Sequence, residues 1–351
     1  MKLVTIFGTR PQFIKSCLLS KKLKENKINE IIIHTGQHYD NNMSDIFFKG
    51  LNLVKPKYNL NIKENNHGSM TGKMIIEIEK ILLTEAPIFV IVYGDCNTTI
   101  AGAIAATKLN IPVIHIESGL RSFDKKMPEE INRIVTDHMS TYLFCPTETS
   151  IVNLAKEGLT QNVFLSGDLM IELLRENIKI IKSKSCYLQY NITLNEYYLA
   201  TIHRQSNTTV KKLKEIISFF GKQKFPVLFC VHPRTMKVIT DNKITIPINT
   251  ICSKPVGFLE MMNLLYTSRA VFTDSGGLQK EAYVLKIPCF TLRKNTEWKE
   301  LILSGWNRLG VPENVEESIK EMLNHEHKEL YLHNPSKKIM EVLNNLNNIE
   351  F

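Results

Sequence analysis

Short apolar runs rich in Ile and Val alternate along the chain with stretches whose apolar residues recur every three or four positions. The runs at 3–8, 30–36, 88–95, 111–117, 141–146 and 163–168 predict strands, and stretches between them such as "FIKSCLLSKKLKEN" and "TTIAGAIAATKLN" predict amphipathic helices. The strand runs are apolar almost throughout instead of alternating with polar residues. That pattern fits strands buried on both faces of a parallel sheet. Strand–helix alternation of this kind predicts an α/β protein with a doubly wound sheet. The pattern starts again at 197–203 and continues through 225–232, 245–251, 270–275 and 286–292, with 169–193 reading as the connection. The expected organisation is two Rossmann-like halves, 1–168 and 169–334, with a central cleft between them.

Composition narrows the class. The chain has 351 residues, 43% hydrophobic and 23% charged, which suits a globular protein long enough for two domains. No apolar run approaches the ~20 residues that span a bilayer, so no membrane association is expected. The first residues, "MKLVTIFGTR", read as a buried first strand and not as a signal peptide. Seven cysteines are scattered without a C-x-x-C, and several lie in apolar strands, which reads as reduced packing residues in a cytoplasmic protein. The net charge of +9 comes from lysines spread along helices, a solvated surface and not a nucleic-acid site, although it also suits a phosphate-bearing small substrate.

Polar residues gather at the carboxyl ends of the predicted strands, where open parallel sheets bind ligands. The first strand leads to Arg10 and Lys15, the second to Gln37 and His38, the third to Gly94 and Asp95, and the next to Glu117 and Arg121. In the second half the strands end in His203-Arg204, His232-Pro233-Arg234 and Asp274-Ser275-Gly276-Gly277. Asp95 and Glu117 end two strands joined by one crossover helix. As sheet neighbours they would lie about 5 Å apart, a pairing that suits acid–base chemistry. Each could instead cap the following helix. In "MPEEINR", Glu129 or Glu130 could supply a third carboxylate or simply open a helix after Pro128. His-Arg pairs at two strand ends suggest phosphate contacts.

The stretch "TDSGGLQKEA" puts a serine and two glycines between a strand and a helix. Such a turn presents unpaired first-turn N–H groups and the positive end of the helix dipole to an anion. Glu281, about one turn in, would suit sugar hydroxyls. The "NHEHKE" stretch lacks metal-site spacing and reads as surface. No G-x-G-x-x-G follows the first strand, and no Walker loop or G-x-S-x-G elbow occurs, so neither a nicotinamide cofactor nor a metal is expected.

The motifs "GTRPQFIK", "HTGQHYD", "VYGDCNTT", "HIESGLRS", "MPEEINR", "PTETS", "HPR" and "TDSGGLQKEA", in this order over about residues 3–300, resemble those of the non-hydrolysing UDP-N-acetylglucosamine 2-epimerases. The resemblance implies the two-domain fold shared with GT-B glycosyltransferases, a last helix at about 335–351 packing back on the first domain, and a homodimer. It implies catalytic roles for Asp95, Glu117, Glu129 and His203. It also implies nucleotide-sugar contacts from Arg10, Lys15, Gln37, His38, Arg121, Arg133, Arg204, His232, Arg234, Phe258, Ser275, Gly276, Gly277, Glu281 and Arg293. Cys96 and Ser206 stand where the family commonly has Thr and Glu. The stretches "MSDIFF" and "TEWKELILSGWN" look more like the branch acting on UDP-2,3-diacetamido-2,3-dideoxy-glucuronate.

The implied reaction is C2 epimerisation of a UDP-N-acetylhexosamine by elimination and re-addition of UDP, for cell-surface polysaccharide precursors. The rival readings are a GT-B glycosyltransferase, a hydrolysing epimerase and a non-catalytic UDP-sugar sensor.

Overall fold

The computed structural model describes residues 1–36 and 55–347. The chain divides into two compact units, residues 1–173 with 330–351, and residues 174–329. The first unit runs β1 (Lys2–Phe7), α1 (Arg10–Glu25), β2 (Asn29–His34), β3 (Tyr58–Asn59), α2 (His67–Glu85), β4 (Phe89–Tyr93) and α3 (Asn97–Lys108). It continues through β5 (Val113–Ile116), α4 (Pro128–Met139), β6 (Tyr142–Cys145), α5 (Glu148–Lys156), β7 (Val163–Leu165) and the start of α6 (Leu169–Glu176). All pairings are parallel, in the order β3-β2-β1-β4-β5-β6-β7.

The second unit holds α7 (Ile178–Ser183), β8 (Tyr198–Thr201), α8 (Val210–Gly221), β9 (Val227–Cys230), α9 (Pro233–Asp241), β10 (Thr250–Ser253) and α10 (Phe258–Tyr266). Then follow β11 (Ala270–Thr273), α11 (Gly276–Val284), β12 (Cys289–Thr291), α12 (Lys299–Leu303), β13 (Asn307–Leu309) and α13 (Val315–Leu323). Its sheet is parallel in the order β10-β9-β8-β11-β12-β13. The last helix, α14 (Pro335–Asn347), returns to the first unit. Both sheets have doubly wound order, so each has a switch point where the winding reverses, β1/β4 in one and β8/β11 in the other.

The continuous apolar strands explain themselves in the packing. On β4, Val90 and Val92 enter one core with Met74, Ile78 and the alanines of α3. Phe89, Ile91 and Tyr93 enter another, with Leu19 and Leu23 of α1 and Ile339, Met340 and Leu343 of α14. Each face buries its own residues, so neither can be polar. The second unit has a phenylalanine-rich core of its own, centred on Phe220, Phe229, Phe272 and Phe290.

Two strand readings shift. The 245–251 run forms no strand before Thr250. Pro247 can give no ladder N–H, and Ile248 is fully exposed. The strands β3 and β13, of two and three residues, are too short to leave a pattern. The first unit extends past residue 168, because Leu169 joins its core and Glu172 accepts from the Ser336 N–H and hydroxyl at 2.8 Å each.

Candidate functional site

In the first unit the polar groups collect at the β1/β4 switch point. Gly8 has no room for a side chain, since a Cβ there would meet Thr35 Oγ1 at 2.1 Å and Thr98 Oγ1 at 2.2 Å. Buried Gln12 accepts from the Gly8 and Thr9 N–H groups and donates to the Tyr93 carbonyl at 2.6 Å. It thereby ties the start of α1 to the end of β4. That placement turns Lys15, one turn further along, onto the Glu117 carboxylate.

β4 and β5 are neighbours, with Tyr93 opposite Ile116, so the Asp95 and Glu117 turns leave the sheet side by side. A Cβ on Gly94 would stand 3.3 Å from Glu117 Oε2, which measures how closely the carboxylate lies against the Asp95 turn. Glu117 itself adopts a left-handed backbone with φ 71°, beside Gly94 at 63° and Gly119 at 78°. A non-glycine residue held there costs on the order of 1–3 kcal/mol and persists only where its surroundings fix it. The Glu117 and Ser118 N–H groups, both donating to the Phe144 carbonyl at 3.0 Å, supply part of that fixing.

Helix α4 sets the two glutamates of "PEE" in different surroundings. Pro128 opens it, with Glu129 and Glu130 in its first turn. Glu130 is buried and accepts from the Ser122 and Phe123 N–H groups and from Arg133 Nε. Glu129 is half-buried and stands clear of that network. Arg133 donates Nη1 to Asp95 Oδ2 at 3.2 Å, and Asn132 donates to the Asp95 carbonyl at 2.9 Å. The resemblance implied substrate contacts for Arg121 and Arg133. Both are 1% exposed, and the guanidinium of Arg121 is held by Asp137 and Glu157. The geometry gives both arginines scaffold roles.

In the second unit the β8/β11 switch point presents donors. Asp274, fully buried at the end of β11, accepts from the His203 and Arg204 N–H groups and from Asn207. It also lies 3.1 Å from His203 Nδ1, which orients an otherwise exposed imidazole. Burial alone would raise the Asp274 carboxyl; the His203 ring and the surrounding N–H groups outweigh it and hold it below the usual range. The His232 ring lies 6.2 Å from that of His203, and its Nδ1 accepts the Arg234 N–H at 3.2 Å. Burial first, then His203 and Arg234, lower its pKa. The Arg234 side chain is exposed.

Ser275 caps α11 by accepting from the Leu278 N–H, leaving the Gly276 and Gly277 amides as first-turn donors. A Cβ on Gly276 would meet Glu297 Oε1 at 2.4 Å. Glu297 accepts from Arg293 at 2.7 Å and pairs with Arg204 at 3.6 Å. Arg293 Nη1 and Trp298 Nε1 are buried donors that meet no acceptor among the described residues. Glu281 is buried on α11, and Phe258 is buried as the first residue of α10. Gln37, His38 and the side chain of Arg10 lie outside the described residues.

The sequence did not single out Gln12, Asn132, Asp137, Glu297 or Trp298, and gave Asp274 no role. Asn132, Asp137 and Asp274 bond partners on other elements, so no local spacing marks them.

Comparison with known proteins agrees with this geometry. The family model described as UDP-N-acetylglucosamine 2-epimerase matches residues 21–344. A UDP-N-acetylglucosamine 2-epimerase homolog of Methanococcus maripaludis is 48% identical over 359 residues, covering 99% of this chain and 100% of its own. The UDP-2,3-diacetamido-2,3-dideoxy-D-glucuronate 2-epimerase of Pseudomonas aeruginosa is 45% identical, covering 88% of each chain. The crystal structure of Methanocaldococcus jannaschii UDP-GlcNAc 2-epimerase in complex with UDP-GlcNAc and UDP superposes with a TM-score of 0.90 at 42% identity, over 98% of this chain and 100% of that one. A parallel α/β fold in two units, carboxylates at one switch point and donors at the other thus come with similarity over nearly the whole chain, and the protein belongs to the UDP-N-acetylglucosamine 2-epimerase family.

Proposed function

We propose that the protein inverts C2 of a UDP-N-acetylhexosamine without hydrolysis, by eliminating and re-adding UDP. The observation that carries this reading is the pairing of β4 with β5, which sets Glu117 against the Asp95 turn with Lys15 on its carboxylate. The C2–H of an acetamido sugar is not next to a carbonyl, so direct deprotonation is unfavourable. Elimination avoids this. A carboxylate takes the C2 proton, the C–H electron pair forms the C1=C2 bond, and the C1–O bond breaks with its pair leaving on UDP. In the return step a carboxylic acid delivers a proton to the opposite face of C2, and a UDP oxygen re-forms the bond to C1.

The cycle is redox-neutral, so the proposal requires no nicotinamide. Asp95, Glu117 and Glu129 share the acid–base work. Lys15 holds the Glu117 carboxylate in place. His203, Arg204, Arg293 and the Gly276–Gly277 amides stabilise the charge that develops on the diphosphate, and Glu281 takes the ribose hydroxyls. The buried donors Arg293 Nη1 and Trp298 Nε1 favour this assignment, because such groups are costly to leave unpaired. Seven free cysteines fit a reducing, cytoplasmic setting, and a homodimer is part of the reading.

The sugar is either UDP-GlcNAc or its 2,3-diacetamido-glucuronate counterpart. The test is proton NMR of the purified enzyme in D₂O with each substrate. Deuterium appearing at C2 together with a manno-configured UDP-sugar supports the mechanism, and the faster substrate identifies the branch. Free sugar plus UDP would move the protein to hydrolysis. Absence of exchange with both sugars would overturn the reading.

A further inference from the structure

Behind the two carboxylate turns of the first unit lies a charge network whose inner members are fully buried. His115 on β5 and Asp137 on α4 are both 0% exposed, so neither can touch a substrate. Asp137 Oδ1 lies 2.7 Å from His115 Nδ1, and His115 Nε2 lies 2.8 Å from the Gly94 carbonyl. Asp137 Oδ2 accepts from the Gly119 N–H at 3.1 Å and from Arg121 Nη1 at 2.7 Å. Arg121 is in turn fixed by a two-pronged bond to Glu157 at 2.7 Å on each arm, with His138 3.3 Å from the same carboxylate.

One carboxylate therefore holds two turns. Through His115 it holds Gly94, next to Asp95, and directly it holds Gly119, two residues past Glu117. These turns contain three left-handed positions, Gly94, Glu117 and Gly119. Burying an ion network is a poor way to gain stability, since a well-packed apolar replacement often does as well or better. It is a good way to fix backbone that would otherwise relax. Both ring nitrogens of His115 face acceptors, a carboxylate and a carbonyl.

We propose that Asp137 and His115 are positioning residues that lock the Asp95 and Glu117 turns together, so that the two carboxylates keep the spacing the reaction requires. The inference rests on the proposed function for its kinetic consequence, but its geometry can be measured independently. Burial would raise the Asp137 carboxyl; His115 and Arg121 outweigh it and keep it ionised. Removing that charge should loosen both turns at once.

The experiment pairs Asp137→Asn with His115→Phe, the latter leaving the Asp137–Arg121 pair intact. Misplacing a reacting group by about 1 Å costs roughly 10²-fold in rate. Asp137→Asn should lower kcat by about that factor with KM and UDP affinity within about threefold, and His115→Phe should lose about 10-fold through the Gly94 arm alone. If Asp137→Asn does not fold, His115→Phe decides the kinetic question. A crystal structure of either variant should show the turns relaxed, and hydrogen exchange at the Gly119 amide, which donates to Asp137 in the wild type, should speed up in Asp137→Asn. A kcat within threefold of wild type in the folded variants overturns the proposal, as do turns that keep their wild-type geometry in both variant structures. A wild-type protein that binds UDP but exchanges no C2 proton would instead defeat the functional reading. The crystallographic and hydrogen-exchange readouts would still decide whether the lock exists.

Discussion

The two units use the same sheet order and place their polar groups at the same topological point, yet they treat charge in opposite ways. In the first unit carboxylates meet cations within the protein. Lys15 holds Glu117, Arg133 holds Asp95 and Glu130, and Arg121 holds Asp137 and Glu157. In the second unit the donors outrun their acceptors. Arg234 and His203 are exposed, Gly276 and Gly277 supply first-turn amides, and Arg293 and Trp298 each bury a donor that meets no acceptor among the described residues. A self-neutralised site suits groups that must exchange protons in a set geometry. A donor-rich site suits an anion that brings its own negative charge. Under the proposed function, one fold serves chemistry in one copy and binding in the other.

The sharpest way to break this division is Glu117→Gln. The amide keeps the volume, so the unit should fold, but it cannot carry a proton between steps. A general acid–base group contributes about 10²–10⁴-fold. We expect turnover, followed as C2 deuterium exchange, to fall by roughly 10³-fold with UDP affinity by calorimetry unchanged. Loss of UDP binding in this variant would show that the two roles are not separable.

The next largest effect is on stability and belongs to the first unit. His34 ends β2, is 8% exposed, and accepts the Gly36 N–H on Nδ1. Burial lowers its pKa to about 4. A folded value below the unfolded one of about 6.5 means that the neutral ring stabilises the fold fully above pH 6.5. That contribution is lost as the pH falls towards 4, and amounts to at most about 3 kcal/mol. Protection factors of β1 and β2 amides, which are exchange rates relative to the intrinsic rate at the same pH, should fall between pH 7 and pH 5 more than those of β8 and β11 amides, and His34→Gln should flatten the difference. An unchanged pH slope in that variant would remove His34 as its cause.

The core strands were legible because burial on both faces leaves an unbroken apolar run. β4 feeds two cores from alternate residues, and its sequence shows it. The carboxylates were legible because they follow such runs directly. What the sequence did not show are groups whose partners are distant in the chain. Asp137 stands 22 residues from His115 and on another element, and Asp274 is 71 residues from His203. That Glu130 is buried and Glu129 only half-buried is a matter of helix phase after Pro128 that composition cannot set.

In the second unit the comparison can be sharpened at Gly276. A methyl group there meets Glu297 Oε1 at 2.4 Å, and Glu297 cannot easily retreat because Arg293 and Arg204 hold it. Gly276→Ala should weaken UDP binding about 10-fold and cost about 1–3 kcal/mol of stability from overcrowding. Hydrogen exchange in the first unit should not change. Wild-type affinity for UDP in this variant would mean that the turn does not approach the ligand.

The smallest expected effect is the most specific. Arg234 is exposed at the start of α9, two residues from His232. A charge in water acts on an anion through a screened field, so its contribution is small and depends on salt. Arg234→Ala should weaken UDP about threefold in dilute buffer. The difference should close as ionic strength rises towards 1 M, where screening acts within about 3 Å. If Arg234 instead made a direct contact in the bound state, the difference would persist at high salt and the loss would exceed tenfold. Titrations of both proteins with UDP at two ionic strengths separate these cases. They also show whether the donor excess of the second unit draws in its ligand at long range or grips it on contact.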